Sequence, residues 1–178
     1  MKYEFETLWN RFPKEIRDAM DNCTQDAVWH PEGNATIHTK LVFEFARDNF
    51  NDIDLMVAAL FHDLGKPETR SVRPRDKEYT GNIKDLSFKE LRISNKYHEK
   101  QCKYYINAYI DLFSDLNPNY EKVLEVCENH IRAHIFMSRE MSTQKMISFT
   151  RLNYFKEVLQ FEFCDNSGKN KKITKYVN

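Results

Sequence analysis

Four glycines in 178 residues leave this chain few ways to build tight hairpins. Two-residue β-turns need positive φ at one or both central positions, and glycine supplies that at least steric cost. A sandwich or barrel of short strands needs many such turns, so the chain reads as all-α. Its hydrophobic share of 41% is enough for a packed core and argues against wholesale disorder. The length suits one domain, taken as residues 1–178, with a helical region at 1–28 and a flexible tail at 169–178. No stretch approaches the ~18–20 apolar residues of a membrane span, and Met1 to Glu6 shows no apolar leader core. A cytoplasmic chain is the default expectation. Cys23, Cys102, Cys127 and Cys164 are widely spaced without a CxxC pair and are expected as reduced thiols.

Tyr3 to Met20 predicts a first helix that Pro13 kinks or divides. Thr36 to about Phe50 predicts another, with Ile37, Leu41, Phe45 and Ala46 at helical spacing. Asp52 or Asp54 caps the next, whose segment from Leu55 to Phe61 is apolar nearly all round, as expected of the central helix of a bundle. It ends at Leu64-Gly65-Lys66-Pro67. Residues 66 to about 93 carry no helical stripe and are expected as an irregular basic insertion. Helices are then expected from Ser94 to Phe113, from Asn119 or Pro118 through His134, from Ser142 to about Asn153, and from Phe155 to Asp165. In the first of these, Cys102, Tyr105, Ile106, Tyr109 and Leu112 face inward.

The six histidines are His30, His38, His62, His98, His130 and His134. The doublet His62-Asp63 closes the most apolar helix. Burying an imidazole and a carboxylate together is costly unless both find partners. A divalent metal is one such partner, since neutral imidazole and ionised carboxylate are natural ligands. A carboxylate capping the helix end beside a histidine satisfied by a backbone carbonyl is the other. His38 on the preceding helix and Asp165 on the last one can converge with the doublet in a bundle core.

The order His38, His62-Asp63, Asp165 resembles the HD superfamily of metal-dependent phosphohydrolases over nearly the whole chain. Trp29-His30-Pro31-Glu32-Gly33-Asn34-Ala35-Thr36-Ile37-His38 is similar to the opening of the HD domain in bacterial CCA-adding tRNA nucleotidyltransferases. Ala58 to Lys66 resembles the second element of that domain, and Tyr97-His98-Glu99 the third. Asn129-His130-Ile131-Arg132-Ala133-His134 and Cys164-Asp165-Asn166-Ser167-Gly168-Lys169 resemble the last two. Lys169 stands where the family usually has arginine, keeping the charge but losing the forked geometry. No Gly-Ser head with paired aspartates precedes residue 30, so the resemblance does not extend to CCA addition.

The resemblance implies a single HD-type helical bundle binding one or two divalent ions, with Mn, Co, Ni, Fe and Mg all open. His38, His62, Asp63 and Asp165 would form the primary metal shell, with His98 and His130 as ligands to a second ion. It implies catalytic roles for Asp63, Lys66 and His134, the last as a phosphate contact or general acid. Lys66, Lys169 and Arg132 are the substrate-binding candidates, while His30 and Glu32 shape the entrance or serve a structural loop. The 27 basic and 27 acidic side chains cancel overall, yet residues 66–103 hold 11 basic and 6 acidic ones. That excess could meet a polyanion such as a nucleotide or RNA end. The expected activity is hydrolysis of phosphomonoester or (cyclic) phosphodiester bonds of nucleotides or RNA ends. A dNTP or dinucleoside polyphosphate hydrolase, and a non-catalytic metal-stabilised RNA-binding module, are the alternatives. No membrane and no stable protein partner are expected, and a homo-oligomer is left open.

Overall fold

Helix starts in this chain are set by side chains that satisfy the free amides of a first turn. In the computed structural model, which describes residues 3–169, Asn34 accepts from the Ile37 amide and opens α3 (Ala35–Asn49). Asp52 accepts from the amides of Asp54 and Leu55 and opens α4 (Ile53–Phe61). Ahead of these lie α1 (Phe5–Trp9) and α2 (Lys14–Asn22), with Pro13 at the boundary. Pro13 therefore divides the first predicted helix rather than kinking it, because its ring excludes the backbone of a continuous turn. After α4 come α5 (Lys66–Thr69), α6 (Cys102–Tyr109), α7 (Tyr120–Met137), α8 (Thr143–Phe149) and α9 (Phe155–Lys169). The fold is predominantly helical. The expected tail lies, from residue 170 onward, outside the described residues.

Every residue of α4 from Leu55 to Phe61 is buried, and the helix packs against α3, α6, α7 and α9. That placement explains its lack of a polar face. Phe61 reaches into an aromatic cluster with Phe12 and Phe113, at centroid separations of 5.2 and 5.6 Å, which seals one end of the bundle. The thiols are free and buried. Cys102 donates to the His62 carbonyl at 3.2 Å and Cys127 to the Ala58 carbonyl at 3.5 Å, so two of them fill the space behind the end of α4.

Three sequence expectations need correction. The central helix stops as expected but earlier, at Phe61 rather than at Leu64–Pro67, and Pro67 sits in the first turn of α5, where the missing N–H costs nothing. The helix expected from Ser94 begins only at Cys102, after a 3₁₀ turn at His98–Gln101, and Leu112 is exposed while Phe113 takes the inward place. The basic segment is not wholly irregular. Its ends form antiparallel strands β1 (Arg70–Pro74) and β2 (Leu91–Asn95), with Val72 opposite Ile93. Pairing across so long a connection has no local periodic signature.

A buried carboxylate ties this hairpin to the helices. Asp26 accepts from Arg75 through both oxygens at 2.9 and 3.0 Å, and from the amides of Ile93 and Val28. Arg70 likewise donates to Thr24. Two of the basic residues thus hold the fold together. Burial would raise the Asp26 carboxyl, but Arg75 and the two amides outweigh it and hold it below its ordinary 3.8. The stabilisation is therefore complete above that value and lost as pH falls through the depressed folded-state pKa. Asp26→Asn is expected to cost about 1.5–3 kcal/mol at neutral pH, the worth of hydrogen bonds to a charged group. Thermal melts across pH should show the deficit shrinking in acid.

Candidate metal centre

Four imidazoles meet at the C-terminal end of α4, and three are oriented by the same device. The Nδ1–H of His62 donates to the Ala59 carbonyl at 2.8 Å, that of His98 to Asn95 at 2.6 Å, and that of His130 to Cys127 at 2.7 Å. Each bond reaches three residues back along the chain. Holding the proton on Nδ1 leaves the Nε2 lone pair of each ring facing inward. His38 uses a side chain instead, its Nδ1 lying 3.0 Å from Glu32 Oε1, which also accepts from His30 Nδ1 at 2.7 Å.

The inward atoms crowd one another. His38 Nε2 is 2.9 Å from Asp165 Oδ1 and 3.6 Å from Asp63 Oδ2. His62 Nε2 is 3.2 Å from Asp63 Oδ2 and is buried without a hydrogen-bond partner. Asp63 Oδ1 lies 3.2 Å from His98 Nε2, and the Nε2 atoms of His98 and His130 face each other at 3.0 Å. With both Nδ1 protons committed to carbonyls, these two nitrogens are lone pairs pointed at one another. The atoms form two groups, His38–His62–Asp165 and Asp63–His98–His130, each with its ligand atoms within 4.8 Å of one another. Asp63 spans them, one oxygen toward each.

Charge balance favours the acceptor form at His130, Asp63 and Asp165. Burial pushes His130 down to about 3, helped by His98 and His62, so the ring is neutral at physiological pH. Burial opposes ionisation of Asp63 and Asp165, yet His62 and Lys66 hold the first, and Lys169 and His38 the second, well below the usual carboxylate range. Glu32 is held near 2, its burial outweighed by the bonds from His30 and His38. His38 is raised despite burial, by Asp165 and Glu32. Two buried carboxylates and four convergent imidazole nitrogens fit divalent cations, by donor type and by the orphaned His62 Nε2.

Lys66 is buried, with Nζ 2.6 Å from Asp63 Oδ2 and 2.5 Å from Gln25 Oε1. Lys169 Nζ lies 2.7 Å from Asp165 Oδ2. Both line a cavity of about 210 Å³ together with His30, His98 and His130. His134 and Arg132 do not line it. One turn beyond His130, His134 is half-exposed and bonded to Glu162 on α9 at 3.1 Å. Arg132 projects from another face of α7, bonded to Asn129 and lying 5.1 Å from the Phe149 ring. Sequence reasoning missed Gln25, Asp26 and the twin bonds of Glu32. Glu32 alone had a signal, its place six residues before His38 in the quoted opening segment.

Two glycines set close approaches. A Cβ at Gly168 would lie 2.7 Å from Val42 Cγ2 and 3.2 Å from the His38 ring, so its absence lets α9 bring Asp165 to α3. At Gly65, a Cβ would lie 2.6 Å from the His98 carbonyl oxygen.

The HD domain family model matches residues 36–149. The Multifunctional CCA protein of Burkholderia lata is 34% identical over 83 residues, covering 44% of this chain and 20% of its own length. That of Aliivibrio salmonicida is 32% identical over 100 residues, covering 52% and 24%. The chain thus spans about a fifth to a quarter of the length of these relatives. No solved structure matches it. Among the described residues, no helix is long and apolar enough to cross a membrane.

Proposed function

The chain belongs to the HD domain family, and from that premise we propose that it is a metal-dependent phosphohydrolase acting on phosphomonoester or (cyclic) phosphodiester bonds of nucleotides or RNA ends. The observation that carries this reading is the convergence of four inward imidazole Nε2 atoms on two buried carboxylates held in their ionised form, beside an open cavity. His38, His62 and Asp165 would hold one ion and Asp63, His98 and His130 a second, with Asp63 shared. Bound divalent ions supply Lewis-acid polarisation of a phosphoryl oxygen and a water acidified toward neutral pH. Lys66 and Lys169 balance the carboxylates in the free protein and offer Nζ protons to the oxygens of an entering phosphate. The carbonyls of Ala59, Asn95 and Cys127 keep three imidazoles in the ligand tautomer.

The test is phosphate release by metal-loaded protein from 2′,3′-cyclic nucleotides, 2′- and 3′-phosphates, dNTPs and dinucleoside polyphosphates. Activity on the first two classes that His62→Ala abolishes is the expected result. Activity that survives this substitution, or none with any member of the panel, would overturn the reading. Glu32→Gln keeps the shape but loses the charge that orients His38. It is expected to weaken metal affinity about 10- to 100-fold, the usual effect of altering a ligand's orienting partner, measured by metal titration.

A further inference from the structure

The cavity of about 210 Å³ is smaller than the roughly 300–1,000 Å³ pockets that enclose whole organic ligands. It has room for the phosphoester end of a nucleotide, and the base must then lie at the rim. Trp29 stands there. It lines the same cavity as His30, Lys66 and Lys169, yet is 67% exposed, an unusual position for the largest apolar side chain.

The loop that carries Trp29 is held by its backbone. The amides of Trp29 and His30 donate to the Asp26 carbonyl at 3.1 and 2.8 Å, and Gly33 donates back to His30. Asp26 is itself fixed by Arg75 and Ile93. The indole therefore has a rigid base and makes little use of its own ring for folding. Tyr97, an exposed aromatic next to the candidate ligand His98, has Lys100 Nζ over its ring at 4.4 Å and lines an outer groove rather than this cavity.

We propose that Trp29 is the platform on which the substrate's nucleobase stacks while its phosphate enters the metal cavity, so that the protein selects nucleoside-bearing phosphoesters over plain sugar phosphates. This rests on the phosphohydrolase reading for the position of the phosphate. Base–aromatic stacking contributes about 1–3 kcal/mol, which corresponds to roughly 5- to 150-fold in affinity.

The two tryptophans make a direct test available, because Trp9 is 4% exposed and Trp29 67%. Metal-loaded protein is titrated with an adenosine phosphonate, whose P–C bond resists hydrolysis, and with the matching ribose phosphonate. The adenosine ligand should quench Trp29 emission, shield it from acrylamide, and bind roughly 5- to 150-fold more tightly than the ribose ligand. By calorimetry, Trp29→Ala should erase that difference with an unchanged melting temperature, and Trp29→Phe should retain most of it. An RNA trinucleotide with the same terminal phosphonate separates the two sources, binding more tightly than the adenosine ligand if an RNA end is preferred. Equal binding of the two small phosphonates, or an adenosine preference that survives Trp29→Ala, overturns the proposal. If neither phosphonate binds, the proposal also fails. The phosphohydrolase reading fails separately, when no phosphoester is hydrolysed although the adenosine preference and its loss in Trp29→Ala are both seen.

Discussion

Asp63→Ala is expected to lower phosphoester hydrolysis on the order of 10³-fold or more, since several kcal/mol of charge stabilisation depend on the metal ions. Among the described residues, Asp63 alone turns its two oxygens to both ligand groups, 3.2 Å from His62 Nε2 on one side and 3.2 Å from His98 Nε2 on the other. Its loss therefore disturbs both proposed ions. It also leaves the Lys66 ammonium buried, with Gln25 its one remaining polar partner among the bonds described. Breaking a buried ion pair from one side costs about 3–5 kcal/mol, so the metal-free variant should melt well below the parent. Asp63→Ala combined with Lys66→Met removes both charges and should recover most of that stability without recovering activity. Kinetics and thermal melts on the single and double variants separate the two effects.

Gly65→Ala carries the second large effect. The added methyl would meet the His98 carbonyl oxygen at 2.6 Å and Gln101 Cβ at 2.7 Å. Neither is the free end of a flexible side chain, so the turn after α4 and the 3₁₀ turn bearing His98 must separate. Overpacking of this kind costs about 1–3 kcal/mol, which at this chain length is roughly 2–12 °C in melting temperature. The separation also carries His98 away from Asp63 and His130. Binding at the second proposed ion should weaken more than at the first, readable as a biphasic metal titration. A melting temperature within a degree or so of the parent, and an unchanged titration, would show that the close approach is not required.

The helices were legible where one residue type answers one local need. Asp52 and Asn119, both named from the sequence as helix openers, cap the helices that follow, and the apolar run from Leu55 to Phe61 became the most enclosed helix of the bundle. The Asn34 cap of α3 had not been read. The hairpin was not legible, because Val72 and Ile93 pair across a stretch with no periodic pattern and with charges on both strands. His38, His62, Asp63, His98, His130 and Asp165 were singled out from their motifs and meet within a few ångströms. His134 was placed with them by the same resemblance and by its helical spacing from His130. One turn of rise along α7 was enough to carry it past the cavity to Glu162. Gln25 and Asp26 lie in a loop whose significance comes from contacts some 40 to 70 residues away in sequence, and no spacing rule reaches that far.

The most direct measurement of the central claim is the number of divalent ions held per chain. Metal-free protein titrated with Mn²⁺ should take up two ions, and His130→Ala should take up one while His38→Ala loses the other. No uptake by the parent, or uptake unaltered by either substitution, would contradict a metal centre built from these side chains.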